Sequence, residues 1–206
     1  MHERTERLLQ LLMDIGERIF SVLLFTIYAV RQWHSFTLKP YNVLAVISEA
    51  VVVAFIVVRR PALSVSTRPL DWFVAFAGTA LPMMAVAGGK PLLSIYVGFW
   101  MMTFGLVLSL WAKLIIRRGF GIASANRGVV AKGPYRFVRH PMYAGYLFVH
   151  LGYLLMNPVL WNAVLYIVVW CFQIARILVE ERLLQQDPAY QTFASKVGFR
   201  LLPGLF

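Results

Sequence analysis

Acidic residues are scarce in this sequence. Only 9 of the 206 residues are Asp or Glu, and none lies in the stretch from Trp72 to Val179. So long a stretch without a carboxylate cannot be the exposed surface of a soluble protein, and we predict that most of it lies in lipid. The hydrophobic share of 60% and the mean hydropathy of +0.69 agree with this prediction.

Cysteine is nearly absent as well. Cys171 is the one cysteine in the sequence, and it lies inside an apolar stretch. A single cysteine excludes a disulfide framework and a cysteine metal site. The favoured interpretation of Cys171 is therefore a packed apolar thiol.

Basic residues, in contrast, are plentiful, and the net charge is +11. We expect no nucleic-acid partner, because these residues lie between apolar runs of membrane-spanning length and do not form one solvated patch. They are typical of the charges that orient a membrane protein. The expected surroundings are therefore membrane lipids.

The N-terminal segment, residues 2–18, mixes charged side chains with leucine and isoleucine at three- and four-residue spacing. This pattern predicts an amphipathic helix on the membrane surface. A secretory signal would instead have an uninterrupted apolar core after a short basic start, so we expect the segment to stay on the mature protein.

Six apolar stretches approach the length of about 20 residues that a helix needs to cross a bilayer. They are Ile19–Phe36, Tyr41–Val58, Leu70–Ala87, Leu92–Ile116, Tyr143–Met156 and Val159–Val179. Asn157 and Pro158 separate the last two and predict a tight helical hairpin, because proline cannot continue the hydrogen-bond ladder of a helix. The sequence therefore predicts an all-α, polytopic membrane bundle of about six transmembrane helices.

The basic residues orient this bundle, since Lys and Arg near the ends of spans favour the cytoplasm. With the N-terminus inside, 17 of the 20 basic residues lie in cytoplasmic segments. The other three are Arg31, Lys39 and Lys90. Both termini and the longest basic loop are therefore predicted to lie on the cytoplasmic side.

Glu49 is an acidic residue inside a predicted span, between Ile47 and Val51. An unpaired carboxylate in that position is costly, so we expect Glu49 to be protonated, paired or facing a polar cavity. A structural role and a functional role are both open for it.

The loop from Arg117 to Tyr143 joins the fourth and fifth spans and is too rich in glycine and proline for a regular helix. Irregular backbone beside a membrane is tolerated where it lines a cavity, so the exposed amides of this loop indicate a ligand site. The alternative is a basic loop that rests on anionic lipid headgroups.

The sixth predicted helix carries Gln173, Arg176 and Glu180 on one face, at positions i, i+3 and i+7. A salt bridge between Arg176 and Glu180 would contribute only roughly a few tenths of a kcal/mol, because Arg before Glu is the weaker order. An arginine at the inner edge of an apolar span therefore indicates a site.

At these residues the chain resembles the isoprenylcysteine carboxyl methyltransferases and their phospholipid methyltransferase relatives. The matching residues are Gly133, Pro134, Tyr135, Arg139, His140, Pro141, Met142, Tyr143, Gly145, Arg176, Glu180, Glu181, Tyr190, Arg200 and Pro203. The resemblance covers Trp111 to Phe206, and the first three spans match only in general character.

The resemblance implies a single membrane-embedded methyltransferase domain over residues 1–206, with its cofactor and catalytic region in residues 111–206. Such an enzyme would bind S-adenosylmethionine on its cytoplasmic side and methylate a lipophilic substrate from the bilayer, with no metal. The implied cofactor contacts are Arg127, Gly128, Val129, Val130, Tyr135, His140, Pro141, Met142, Tyr143, Glu180 and Glu181. Arg176 and Glu180 would be catalytic, and Arg176 would hold the substrate.

The acceptor favoured by the resemblance is a carboxylate of the isoprenylcysteine type, with a phospholipid amine or a small thiol as alternatives. Two other functions stay open. One is a membrane reductase of the steroid-reductase type, which would use a nicotinamide dinucleotide. The other is a non-enzymatic membrane subunit or transporter, for which Glu49 is the supporting feature.

Overall fold

The computed structural model describes residues 2–33, 43–58, 64–66, 68–116, 125–126, 128–204 and 206. Within these residues the chain forms seven α-helices. They are α1 (His2–Gln32), α2 (Val43–Val57), α3 (Pro69–Ala80), α4 (Ile95–Ile116), α5 (Pro141–Met156), α6 (Leu160–Leu184) and α7 (Pro188–Lys196). The prediction of an all-α fold is confirmed.

Short elements connect the helices. Single 3-10 turns cover Leu81–Met84 and Gly133–Arg136. A two-residue antiparallel bridge, which the sequence did not predict, pairs Ser64–Val65 (β1) with Ala125–Asn126 (β2). The bridge joins the chain before α3 to the loop that follows α4.

The N-terminal helix is longer than predicted. Residues 2–18 do not form a separate surface helix, because α1 continues without a break to Gln32. The sequence of α1 contains no proline, and Gly16 is its one glycine. A single interior glycine costs a helix only about 1 kcal/mol, so nothing in this segment ends the helix at the predicted boundary.

Two described helices, α4 and α6, are long and apolar enough to cross a membrane by length and composition. Large apolar side chains are also exposed on the outward faces of several helices, among them Ile27, Trp100 and Ile167. Apolar exposure on this scale indicates contact with lipid, which supports a membrane protein. The arrangement of six spans stays a prediction.

Helix α3 ends at Ala80, earlier than the predicted third span, because Pro82 interrupts it. Proline has no N–H to donate to the carbonyl four residues earlier, which belongs to Gly78. The side chain of Gln173 on α6 fills this gap, since its Nε2 donates to the Gly78 carbonyl at 2.8 Å. The helix break on α3 therefore fixes a side chain on α6.

The predicted hairpin is present, with α5 ending at Met156 and α6 beginning at Leu160. Asn162 closes it, because its Nδ2 donates to the Asn157 carbonyl at 2.8 Å. Its side chain also bonds both backbone groups of Val86, on the chain that follows α3. These contacts hold three segments together at the end of the bundle away from the C-terminal tail.

Helices α4 and α5 pack most closely of all, through two pairs of glycines spaced seven residues apart. A Cβ on Gly105 would lie 2.4 Å from the Gly145 carbonyl oxygen, and a Cβ on Gly152 would lie 2.6 Å from the Gly98 carbonyl oxygen. Only glycine permits this approach of two backbones, as in other membrane helix pairs. The contact positions the start of α5 against the end of α4, where the loop lies.

We predict that Gly145→Ala lowers the free energy of unfolding by about 2 kcal/mol, because the new methyl group forces the backbones of α4 and α5 apart. Gly16→Ala is the matched control, since a Cβ there meets nothing within 4 Å. The control should leave stability unchanged or raise it. Thermal unfolding of both variants in detergent tests this, and equal melting temperatures would contradict the close contact.

Candidate functional site

An open cleft of about 680 Å³, here called the outer cleft, lies where the loop before α5 meets the ends of α4, α6 and α7. It is lined by Ile116, Gly128, Val129, Val130, Tyr135, Arg139, His140, Met142, Glu180, Leu184, Tyr190 and Phe193. This volume includes space open to solvent, so the chemistry of the lining residues, and not the volume, makes the outer cleft a candidate ligand site. It is formed by the loop together with the end of α6.

Seven of the residues predicted to contact the cofactor line the outer cleft. They are Gly128, Val129, Val130, Tyr135, His140, Met142 and Glu180. Pro141, Tyr143 and Glu181 do not line it, and Arg127 lies outside the described residues. Their roles as cofactor contacts stay predictions, but the structure brings most of them to one surface.

The loop reaches the cleft through two glycines in the left-handed region of backbone conformation. Gly128 has a φ of 97° and Gly133 a φ of 57°, values that glycine adopts without steric cost. Gly133 packs on Ile115 of α4 and starts the turn that carries Tyr135. The glycines therefore turn the chain so that Tyr135 faces inward.

Tyr135 presents an unsatisfied polar atom to the outer cleft. Its side chain is 7% exposed, and its hydroxyl group has no hydrogen-bond partner in the described part of the chain. Burial raises the pKa of this phenol well above its ordinary value, so the group keeps its proton at neutral pH. A buried hydroxyl of this kind needs a partner, and a bound ligand can provide one.

Glu180 brings a carboxylate to the cleft from the end of α6. It accepts a hydrogen bond from the Tyr143 hydroxyl at 3.1 Å. The ring of Tyr143 in turn lies 5.5 Å from the Arg176 guanidinium. Tyr143 therefore lies between Glu180 and Arg176.

Glu181, the next residue, has a different environment. Its carboxylate binds Arg139 at 2.9 Å, His140 at 3.1 Å and Arg200 at 2.8 Å, and it accepts from the Tyr190 hydroxyl at 3.3 Å. The carboxylate oxygens of Glu181, a predicted cofactor contact, are therefore already bonded to other residues of the protein. Glu181 joins the loop, α7 and the C-terminal tail, and three residues that it binds, Arg139, His140 and Tyr190, line the outer cleft.

The C-terminal tail completes this arrangement. The backbone N–H groups of Arg139 and His140 donate to the carbonyls of Phe199 and Arg200 at 2.9 Å and 2.8 Å. Residues 199–200 therefore hold the loop, while the Arg200 side chain binds Glu181 of α6. Sequence reasoning had matched Arg200 and Tyr190 to the family without assigning them a role.

Arg176 lies in a second cavity of about 360 Å³, here called the inner chamber. It is lined by Glu49, Val52, Gly78, Thr79, Pro82, Tyr146, His150, Gln173 and Arg176. Arg176 is 7% exposed, and its Nη1 donates to Thr79 at 3.4 Å and to Gln173 at 3.3 Å. The spacing predicted that Gln173, Arg176 and Glu180 share one face of the helix. Gln173 and Arg176 do line the same cavity, whereas Glu180 lines the outer cleft.

Glu49 was predicted to be protonated, paired or facing a polar cavity. In the structure its side chain lines the inner chamber together with other polar residues, which agrees with the third of these. Glu49 also interacts electrostatically with Lys113 of α4 and with Arg176. Sequence reasoning did not find the other polar residues of the inner chamber. The one available signal was their position, since Thr79 and His150 each lie within a predicted span.

Comparison with known proteins identifies the region that builds the cleft. The phospholipid methyltransferase family model matches residues 93–190. A curated relative, the Arabidopsis thaliana protein-S-isoprenylcysteine O-methyltransferase A, is 35% identical over 105 residues, which cover 43% of this chain and 51% of the relative. The chain therefore matches about half the length of that relative. The matched residues include α4, α5, α6 and the loop between α4 and α5.

Proposed function

Because residues 93–190 match the phospholipid methyltransferase family model, we propose that the protein is an integral membrane methyltransferase that uses S-adenosylmethionine and methylates a lipophilic carboxylate. The family match and the relative confirm the resemblance drawn from the motifs. The observation that carries the proposal is the placement of two cavities on either side of Tyr143. One contains a carboxylate, Glu180, and the other contains a guanidinium, Arg176.

The outer cleft fits the methyl donor. When bound, S-adenosylmethionine supplies a methyl group on a positively charged sulfur atom. Glu180 attracts the positive groups of such a ligand, and the unsatisfied Tyr135 hydroxyl can donate to one of its acceptors. Tyr190 and Phe193 add aromatic faces, which favour cations.

The inner chamber contains a group that could bind the acceptor carboxylate. Arg176 has a planar fork of donors that matches a carboxylate, and its contact with Gln173 fixes the fork in the chamber. A carboxylate attacks as an anion and releases no proton, so the residues around it need only to orient it and to exclude water. The relative's name, an isoprenylcysteine O-methyltransferase, favours an acceptor of that type.

A dinucleotide reductase receives no support from the described part of the outer cleft. The extra phosphates of a nicotinamide dinucleotide require cationic partners. Arg139 is the one guanidinium among the lining residues, and its Nη1 already binds Glu181 at 2.9 Å. Calorimetric titration with S-adenosylmethionine and with the dinucleotide separates the two functions, and binding of only the dinucleotide would overturn the proposal.

The direct test of the proposed reaction uses a membrane extract, the purified protein and S-adenosylmethionine with an isotopically labelled methyl group. Mass spectrometry should then find the label in a lipophilic compound as a methyl ester. Label in an amine or a thioether would support the methyltransferase activity but would show that the acceptor group is not a carboxylate. A reaction without the protein is the control. If the complete reaction yields no more labelled product than this control, the proposed activity is contradicted.

We also propose that the protein crosses the membrane several times, with both termini and the outer cleft on the cytoplasmic side. The support is the distribution of basic residues, 17 of 20 on one side. Membrane lipids would then surround the helices, and the acceptor would reach the inner chamber from the bilayer.

This topology predicts that cysteines placed at Ala131 and after Phe206 react with a membrane-impermeant reagent only from the cytoplasmic side. The background is Cys171→Ser, because Cys171, which the sequence predicted to be packed, is exposed on α6, and its removal leaves the introduced cysteine as the one thiol in the protein. A cysteine at Lys90 is the matched control and should react from the opposite side. Labelling of Ala131 and the C-terminus from different sides would contradict the six-span arrangement.

A further inference from the structure

The loop that lines the outer cleft has an anchor at each end. At the end nearer α5, Glu181 binds Arg139 and His140. At the other end, the backbone of β2 pairs with β1, which lies in the chain before α3. Gly128 follows β2 by two residues and lines the outer cleft. The position of β1 therefore determines where this part of the cleft lining begins.

Ser66, the residue after β1, is bound by two side chains of α3. Its hydroxyl group donates to the Asp71 carboxylate, and its backbone carbonyl accepts from the indole Nε1 of Trp72 at 2.7 Å. Both partners lie near the start of α3, which begins at Pro69. The start of α3 therefore holds β1 in place, and through the bridge it also holds β2.

Asp71 connects this anchor to α6. Its side chain is 4% exposed and pairs with the guanidinium of Arg182, which is 47% exposed. Arg182 follows Glu181 directly, so two successive residues of α6 hold the two ends of the loop. A carboxylate in the first turn of a helix is often explained by the helix dipole alone. The dipole does not require the bonds to Ser66 and Arg182, so these contacts indicate a further role.

We propose that Ser66, Asp71 and Arg182, here called the α3 clamp, are positioning residues for the methyl donor. None of the three lines the outer cleft, so they act through β1 and β2 on the backbone of residues 128–130. A loop that is already held in its bound conformation loses less freedom when a ligand binds, and this raises the affinity. The inference rests on the proposed function, and Ser66 and Asp71 precede the matched residues 93–190.

Arg182→Gln is the main test of the α3 clamp. It removes the cation and leaves the Asp71 carboxylate buried without its charged partner, which is costly. We expect the affinity for S-adenosylmethionine, measured by calorimetry, to fall about 10-fold. The KM for the donor should rise by a similar factor while kcat changes by less than about 2-fold. Arg182→Lys keeps the pairing and should retain the wild-type affinity.

Ser66→Ala separates a positioning role from a merely structural one. It breaks the bond between Asp71 and the residue after β1, but it leaves the ion pair of Asp71 with Arg182 in place. If that pair only stabilised the helix bundle, donor affinity would not change. The clamp instead predicts a loss of about 3-fold to 5-fold, the effect of one hydrogen bond. The loss is smaller than in Arg182→Gln because Trp72 still binds the Ser66 carbonyl.

Hydrogen exchange without any ligand gives a second measurement that does not depend on the donor. In Arg182→Gln and Ser66→Ala, the amides of residues 128–131 should exchange about 5-fold or more faster than in the wild type, because the loop opens more often. Asn162→Ala is the matched control, since it breaks buried hydrogen bonds at the far end of the bundle. It should lower the melting temperature but leave loop exchange and donor affinity unchanged.

The outcomes separate this inference from the proposed function. If the wild-type protein binds S-adenosylmethionine and both clamp variants keep its affinity, the clamp is wrong and the proposed function stands. If Asn162→Ala loses as much donor affinity as the clamp variants, the effect is one of general stability and the clamp is again wrong. If the wild-type protein does not bind the donor, the proposed function is wrong and the clamp falls with it. Weaker donor binding together with faster loop exchange, neither of which occurs in Arg182→Lys, supports the clamp.

Discussion

Replacing Glu180 with glutamine is expected to lower the affinity for S-adenosylmethionine about 100-fold, as measured by calorimetry, while the protein remains inserted and folded. Glutamine has nearly the same shape but no charge, and a hydrogen bond that involves a charged group contributes roughly 1.5 to 3 kcal/mol. In the outer cleft the glutamate is the one described carboxylate among the lining residues. The loss of its charge therefore removes the main attraction for a cationic donor.

Tyr143→Phe is the matched control for this variant. It removes the 3.1 Å hydrogen bond to Glu180 but leaves the carboxylate in place, and Tyr143 does not line the outer cleft. Affinity for the donor should then stay within a few-fold of wild type. A loss as large as that of Glu180→Gln would mean that the bond to Tyr143 matters more than the charge. Unchanged affinity in Glu180→Gln itself would remove the glutamate from the donor site.

Arg176→Lys is expected to reduce kcat by about 100-fold while the affinity for S-adenosylmethionine stays near that of the wild type. Lysine keeps the positive charge but lacks the planar fork that binds a carboxylate through two parallel hydrogen bonds. A displacement of the acceptor by about 1 Å can reduce the rate on the order of 100-fold. Donor affinity is spared because the arginine lies in the inner chamber, apart from the outer cleft.

Arg182→Lys provides the comparison on the same helix. Arg182 lines neither cavity and pairs with Asp71 at the start of α3, a contact that lysine can also make. This variant should keep both turnover and donor affinity. If Arg176→Lys loses donor affinity and turnover equally, Arg176 belongs to the donor site. If it keeps full activity, the acceptor is uncharged or is held by other residues.

The sequence predicted the helices and the residues of the outer cleft better than it predicted their contacts. Apolar runs located α4, α5 and α6, because a bilayer requires a long apolar stretch for each span. The loop was found because glycine and proline exclude a regular helix there. Both signals are local, and both are visible without any knowledge of the fold.

Contacts between distant segments left no comparable signal. Glu180 and Glu181 are adjacent in sequence, but successive residues on a helix point about 100° apart, so one faces the outer cleft and the other faces Arg139 and Arg200. The bond from Gln173 to Gly78 joins positions 95 residues apart. Tertiary structure decides such pairs, and residue spacing along one segment does not reveal them.

The break in α3 has a consequence for how the proposed methyltransferase could diversify. Gly78 supplies the carbonyl that holds Gln173, and a side chain on Gly78 would lie 2.8 Å from Cδ of Arg176. The geometry of Arg176 is thus set by a helix that precedes the matched residues 93–190, whereas most of the outer cleft lies within them. Under the proposed function, substitutions in α2 and α3 would change the acceptor without altering the methyl donor, so a new substrate range could evolve in one half of the chain while the other half keeps its chemistry.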